Sequence, residues 1–342
     1  MTGLGEWGIE FITNLLNQVY DTGKMPTDMK RSIFIALPKK PGAVDCEQHR
    51  TISLMSHLTK ILLKIILLRI RNKLRPEIGE MQFCFVEDKG TRNGIFTLSM
   101  LMERCIEVNK DLYMCFIDYS KAFDKVQHEK LFKILSSLDI DGKDLRILRN
   151  LYWEQEAAMR VDNELSSFTP IRRGVRQGCV LSPDLFNLYS EMILRDIEHK
   201  KGVCVGGKNI TNLRYADDTV LLAESEHELQ ELLDVVVRSS ENMGLELNIS
   251  KTECMTVSKN NNPPACVITS RGQTIQQVEF FKYLGFNVTS NGKSDCEIKK
   301  RIGMAKNAFN QLNTIMKSRN ISMKTKIKVL DCYVLSVLLY GF

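Results

Sequence analysis

The ten cysteines contain no Cys-x-x-Cys pair, and the five histidines are scattered. That spacing argues against a zinc site and for a reducing compartment. A secretory leader is not expected, because the first 25 residues lack a basic start and carry acids. No long hydrophobic run is present either. The longest, Ile61 to Ile70, is interrupted by Lys64 and Arg69, so no membrane span is expected. Internal repeats and low-complexity tracts are also absent. At 342 residues the chain can bury a substantial core and hold two or three subdomains. With 44% apolar and 26% charged residues, it reads as an ordinary globular protein.

The net charge of +6 conceals an uneven distribution. Residues 24–75 hold 12 Lys/Arg against 3 Asp/Glu, a local +9, and residues 293–328 hold 10 against 2, a local +8. The remainder is therefore −11. Two basic blocks around an acidic middle suit a gripped polyanion. Either block alone reads equally as solvated helix faces.

The acidic middle contains Leu213-Arg-Tyr-Ala-Asp-Asp-Thr-Val-Leu-Leu-Ala223. Ile210–Ala216 and Thr219–Ala223 read as strands, joined by a two-residue turn at Asp217-Asp218. A lone Asp-Asp there would be a surface turn. The apolar flanks instead predict a hairpin buried on at least one face. Two carboxylates pressed together there repel one another, and a divalent cation relieves the repulsion. A third carboxylate, Asp118, closes the predicted strand 112–118 upstream.

The rest of the chain reads as alternating helices and strands. A helix over 6–20 turns Ile9, Ile12, Leu15, Leu16 and Val19 inward, and 32–37 is a strand ended by Pro38. Ser56 caps a helix running to Leu74. Leu58, Ile61, Leu62, Ile65 and Leu68 form its apolar stripe, and Lys60, Lys64 and Arg71 face template phosphates or water. Helices follow over 93–108, from an N-capping Asp124, over 143–155, and from Ser182-Pro183 to 199. Glu226–Met243 is a helix ended by Gly244. Residues 245–249 alternate, and 259–264 form a polar loop.

Leu112-Tyr-Met-Cys-Phe-Ile-Asp118 paired with Tyr215-Ala-Asp-Asp218 resembles the motifs of reverse transcriptases of LINE-type non-LTR retrotransposons. Gly174-Val-Arg-Gln-Gly-Cys-Val-Leu-Ser-Pro-Asp184 is a third strong match, and the motifs appear in family order along nearly the whole chain. The resemblance implies an α+β right-hand polymerase with fingers, a ferredoxin-like palm and a thumb. The boundaries it suggests are an N-terminal helical segment 1–23, fingers 24–108, palm 109–124, fingers and palm helices 125–173, palm 174–286 and partial thumb 287–342.

The same resemblance implies that Asp118 and Asp217 hold two Mg²⁺ ions, with Mn²⁺ as an alternative, and that Asp218 completes the cluster. Lys39 (or Lys40) and Arg50 contact the triphosphate. Phe123 is a steric gate against a 2′-hydroxyl; by its residue type alone it would more commonly be a core Phe. Gln177 and Gly178 pack against the new base pair and the sugar. Lys251 protonates the leaving pyrophosphate, where the residue alone reads as a surface lysine. Gln82-Phe-Cys-Phe85 and Gly90-Thr-Arg92 match the template-contacting fingers segment, although Cys84 stands where the family has glycine. Phe280–Phe286 matches the primer-grip hairpin, with Asn291-Gly292 closing a turn.

The implied function is RNA-directed DNA synthesis by an intracellular enzyme, nuclear or cytoplasmic. Its partners would be an RNA template, a DNA primer and dNTPs. Family members carry an upstream endonuclease and a downstream Cys/His segment, so a truncated copy is expected. Two alternatives stand beside this: an RNA-dependent RNA polymerase, and a decayed or domesticated nucleic-acid binder.

Overall fold

Ile33, Ile35 and Leu37 belong to a run in which β-branched and aliphatic residues dominate, and it forms the strand Arg31–Pro38. In this computed structural model, which describes residues 5–162, 164–260 and 263–341, that strand is the spine of one of two compact units. Met1–Leu4, Phe342 and the Asn261-Asn262 centre of the expected polar loop lie outside the described residues. No described helix is long and apolar enough to cross a membrane.

The first unit comprises residues 1–80, 119–196 and 238–246. Arg31–Pro38 pairs antiparallel with His49–Met55 and parallel with Glu156–Val161. Around this sheet the unit holds the helices Gly5–Thr22, His57–Leu74, His128–Ser136, Gly142–Trp153 and Ser182–Leu194. Ser56 caps as expected, its hydroxyl accepting from the Thr59 N–H at 3.1 Å.

Four expectations fail in this unit. In the His57–Leu74 helix the buried side is Leu62, Leu63, Ile66, Leu67, Ile70 and Leu74, while Ile65 and Leu68 are exposed. Ile61–Ile70 is apolar nearly all round, so two stripes can be drawn on it and only packing chooses between them. The first helix likewise buries Leu16 and Val19 but exposes Ile9. Asp124 is not an N-cap. It sits inside the one-turn helix Ala122–Lys125, entered through a left-handed Lys121, and the longer helix starts only after Gln127. Ser182 is itself the first residue of its helix, and Leu181 occupies the cap position.

The second unit comprises residues 81–118, 197–237 and 247–342. Its main sheet has the strand order Gln276–Gln277, Glu253–Val257, Leu112–Ile117, Asp218–Ala223, Asn212–Tyr215. Leu112–Ile117 is central and antiparallel to both neighbours. In chain order, this sheet receives a strand, then a hairpin and, after the Glu226–Asn242 helix, a last strand, with helices of the first unit intervening in sequence between the first strand and the hairpin, which is the order of a split βαβ. This is the ferredoxin-like arrangement expected of a palm. One face of the sheet carries Leu112, Met114, Phe116, Val220, Leu222, Met255 and Val257 into the core, with Ile95, Leu98 and Met102 of the Thr91–Glu107 helix. Residues 245–249 form no strand, and only Leu247 makes a bridge.

Phe280–Tyr283 and Phe286–Thr289 pair as the expected hairpin. Leu284 and Gly285 supply two consecutive positive φ angles of 47° and 83°, which a two-residue turn of this hand requires. The following helix, Asp295–Gln311, changes the meaning of the second basic block. Its Glu297 is fully buried and accepts from the Asn287 N–H at 3.1 Å, from Lys300 at 3.2 Å and from Arg301. Arg301 also donates to the Gly285 carbonyl at 2.6 Å and lies over the Tyr340 ring. Two cations that sequence alone offers to a polyanion are therefore committed to an internal carboxylate. Lys299 remains exposed.

Candidate active site

Tyr215, Ala216, Asp217 and Asp218 form a tight hairpin turn in the second unit's sheet. Asp218 pairs across the hairpin with Tyr215, so the turn residues are Ala216 and Asp217 rather than the two aspartates. The strands are Asn212–Tyr215 and Asp218–Ala223. Ile210 belongs to a separate ribbon, Val203–Val205 with Lys208–Ile210. The shift arises because Ala216 takes φ = 58°. A non-glycine residue in the left-handed region costs about 1–2 kcal/mol, so its surroundings must hold it there. A one-residue slip in register reverses the face each side chain presents.

Asp118 follows directly on Leu112–Ile117, whose register places Ile117 opposite Thr219. One step further, Asp118 and Asp218 stand across from each other. The Asp118 N–H donates to the Thr252 hydroxyl at 3.4 Å, and its carbonyl accepts from the Asn248 N–H at 2.7 Å. These bonds fix the chain as it leaves the strand.

Burial, followed by the like charges of Asp217 and Asp118, raises the Asp218 carboxyl from 3.8 to about 6. The Asp218 residue nevertheless keeps solvent-exposed surface, which weakens both contributions, and the like charges of Asp217 and Asp118 add to the burial. Tyr283, buried in the core, is raised first by burial and then by Asp218.

Among the described residues, no three His, Cys, Asp or Glu side chains are drawn in to the spacing of a closed ligand shell. The donor set still fits a hard divalent cation, since it offers only carboxylate oxygens and they repel one another.

The raised pKa of Asp218 has a testable sign. A folded-state value near 6 above an unfolded value of 3.8 favours the folded protein below pH ~4, and this advantage is lost as pH rises through ~6. Without divalent ions, the melting temperature is expected to fall over that window more steeply than in Asp218→Asn. Mg²⁺ should restore the wild type above pH ~6 and have less effect on the variant. Parallel melting curves with chelator and with Mg²⁺ read both effects. Identical pH profiles for the two proteins would remove the proposed repulsion.

The first unit gathers the other group of candidates. Leu37 faces Arg50 across the 31–38/49–55 strand pair, and the Lys39 N–H donates to the Gln48 carbonyl at 2.8 Å. The Lys39 and Arg50 side chains are both exposed at this end of the strands. Gln177 joins them, its carbonyl accepting from the Ser53 N–H at 2.8 Å. Gly178 has φ = 97°, and a Cβ there would lie 3.1 Å from the Ser53 carbonyl oxygen. Arg176, buried, ties the loop down by donating to the Gln155 side chain and the Lys30 carbonyl, each at 2.8 Å.

Phe123 is half-buried, and its carbonyl accepts from the Val175 N–H at 2.8 Å. Its ring stacks on Phe186 with centroids 4.1 Å apart and planes 12° apart.

Lys251 is exposed on the turn after Asn248, in the unit that holds the carboxylates and next in sequence to Thr252, which binds the Asp118 N–H. The Gln82–Phe85 segment departs from its expected role as a template-contacting surface. Gln82, Phe83 and Cys84 are buried, and only Phe85 presents its side chain to solvent. Burial pushes the Cys84 thiol up to about 12, and its hydrogen bond to Tyr215 partly opposes this. Sequence reasoning did not single out Gln82 or Arg176 as supports of the site. Both sit inside matched motifs, but their partners are remote in sequence.

A family model described as reverse transcriptase (RNA-dependent DNA polymerase) matches residues 37–288. The Pol polyprotein of the type-2 retrotransposable element R2DM of Drosophila melanogaster is 27% identical over 299 residues, covering 84% of this chain and 28% of that protein. The RNA-directed DNA polymerase of the Drosophila melanogaster mobile element jockey is 26% identical over 353 residues, covering 99% of this chain and 37% of that protein. The chain thus spans about a third of the length of these relatives. Among solved structures, apo telomerase of Candida tropicalis, truncated from its C-terminal domain, aligns with a TM-score of 0.57 at 13% identity, covering 84% of this chain and 60% of that one. A further telomerase structure from that organism, in complex with a fragment of telomeric RNA, aligns over 96% of this chain and 56% of that one with a TM-score of 0.55 at 11% identity. At these identities the likeness is one of fold, the right-hand polymerase.

Proposed function

The chain belongs to the reverse transcriptase family, and on that premise we propose that it extends a DNA primer along an RNA template using dNTPs. The observation that carries this is the gathering of Asp118, Asp217 and Asp218 at one end of a ferredoxin-like sheet, within the matched residues. In the reaction the primer 3′-oxygen bonds to the α-phosphorus of the dNTP. The bond to the pyrophosphate oxygen breaks, the hydroxyl proton is lost, and pyrophosphate leaves.

Asp118, Asp217 and Asp218 would hold two Mg²⁺, whose charge offsets that of the triphosphate and increases the acidity of the attacking hydroxyl. The remaining roles fall to side chains. Lys39 offers the triphosphate a point charge, and Arg50 a bidentate grip. Gln177 and Gly178 bound the sugar and the nascent pair, with Phe123 beneath the sugar. Lys251 hands its proton to the leaving pyrophosphate. Most of the rate comes from alignment and charge compensation. We assign fingers to 24–108 and 125–173, palm to 109–124 and 174–286, and thumb to 287–342.

The test is extension of an end-labelled DNA primer on an RNA template with Mg²⁺ and each nucleotide set. A dNTP-dependent ladder is expected. Equal extension with ribonucleotides would instead indicate an RNA polymerase. Tight binding of the primer–template without extension, in Mg²⁺ or Mn²⁺, would indicate a non-catalytic binder.

A further inference from the structure

Ala216 holds a left-handed backbone immediately before Asp217, and something must hold it there. The answer lies in a segment remote in sequence. Residues 81–83 run alongside Arg214: the Arg214 N–H donates to the Met81 carbonyl and the Phe83 N–H to the Arg214 carbonyl, both at 2.9 Å. This pairing brings Gln82, which has no solvent-exposed surface, level with residue 214. Its side chain then reaches past the end of the strand. The Gln82 Oε1 accepts from the Ala216 N–H at 3.1 Å and from the Cys84 N–H at 3.0 Å. Two N–H donors converging on one atom require it to be the carbonyl oxygen, which fixes the amide orientation. Beside it, the Cys84 thiol is hydrogen-bonded to Tyr215, so a second side-chain contact ties the two segments together.

We infer that Gln82 is a positioning residue for the carboxylate turn, holding Ala216 left-handed so that Asp217 is presented at the active-site end of the sheet. This rests on the polymerase reading for its kinetic consequence, but the geometry itself does not. A buried N–H left without its acceptor favours rearrangement of the turn, and Asp217 is the next residue along. Gln82 touches no reacting atom, and its effect passes through the backbone. Its amide nitrogen has no protein partner, so the accepting oxygen is the atom that matters.

The experiment compares Gln82→Met, which keeps length and apolar volume but lacks the acceptor, with Gln82→Glu, which retains an accepting oxygen. Mn²⁺ binding to the free protein, followed by electron paramagnetic resonance, is measured beside single-nucleotide kinetics. For Gln82→Met a roughly tenfold weaker Mn²⁺ affinity and a ~30-fold lower kcat are expected, about 2 kcal/mol at the transition state. The dNTP KM and primer–template affinity should stay within about twofold of wild type. Gln82→Glu should recover most of both losses. Wild-type Mn²⁺ affinity in a folded Gln82→Met would overturn the inference, as would parallel losses in Met and Glu. If Gln82→Met loses its cooperative melt, Gln82→Glu decides alone: wild-type Mn²⁺ affinity supports the inference and its loss overturns it. A wild-type protein that binds Mn²⁺ but extends no primer would defeat the polymerase reading, while the Mn²⁺ comparison would still judge Gln82.

Discussion

Asp217→Asn is expected to reduce primer extension by about a thousandfold or more, ~4 kcal/mol of transition-state stabilisation, while leaving primer–template binding close to wild type. The substitution preserves side-chain shape and removes one negative charge from a cluster whose value lies in its charge. Asp217 sits in a two-residue turn closing a hairpin, and the amide can occupy the same turn without disturbing the Asp218–Tyr215 pair. Folding should therefore be little affected. Removing one carboxylate should also relieve its neighbour, since the Asp217 charge is one cause of the raised Asp218 value. The variant should accordingly melt no lower than wild type in chelator, yet gain less from Mg²⁺. Single-turnover extension, filter binding and paired melts test the three statements separately. Extension at the wild-type rate would remove Asp217 from the chemistry.

Phe123→Val is expected to lower discrimination between dGTP and GTP by roughly a hundredfold in kcat/KM, about 2.7 kcal/mol, with dGTP use largely retained. One face of the ring is committed to Phe186 at 4.1 Å. That stack holds the ring in a fixed plane, as a gate requires; a freely rotating ring would yield to a 2′-hydroxyl. The stack has its own cost when lost, about 0.5–1.5 kcal/mol beyond the area term, so a modest fall in melting temperature is expected as well. A packing role alone predicts the melting shift with the sugar ratio unchanged. Steady-state kinetics with both nucleotides, beside thermal unfolding, separates the two outcomes. An unaltered ratio would leave deoxyribonucleotide selectivity without a residue.

Several features were fixed locally and were legible without a structure. Ser56 caps because its hydroxyl lies three residues before a free N–H at a helix start. Leu112–Ile117 is an apolar run with two aromatics that ends at Asp118, and Thr219–Ala223 is a β-branched and aliphatic run that begins just after Asp218, so the carboxylates stand where these runs stop or start. Gly178 takes φ = 97° and Gly285 takes φ = 83°, and residue type allows both, whereas Leu284 takes φ = 47° against the preference of its own side chain.

What stayed hidden depends on neighbours remote in sequence. The His57–Leu74 helix is apolar around most of its circumference, so its buried face was chosen by what packs on it. The hairpin turn moved one residue because Ala216 accepts a left-handed backbone that its own side chain disfavours. Gln82 lies more than a hundred residues before Ala216 in the chain, and no local pattern predicts that bond. Lys300 and Arg301 have the composition of a phosphate-binding stripe, yet the fully buried Glu297 claims both. Sequence by itself determined most of the elements, the family motifs and where the three carboxylates stand along the chain, because propensity and residue chemistry act over a few residues. Tertiary structure alone decided which helix face is buried, which cations remain available and which groups hold the carboxylate turn, because burial and pairing are settled between segments that meet only in the folded chain.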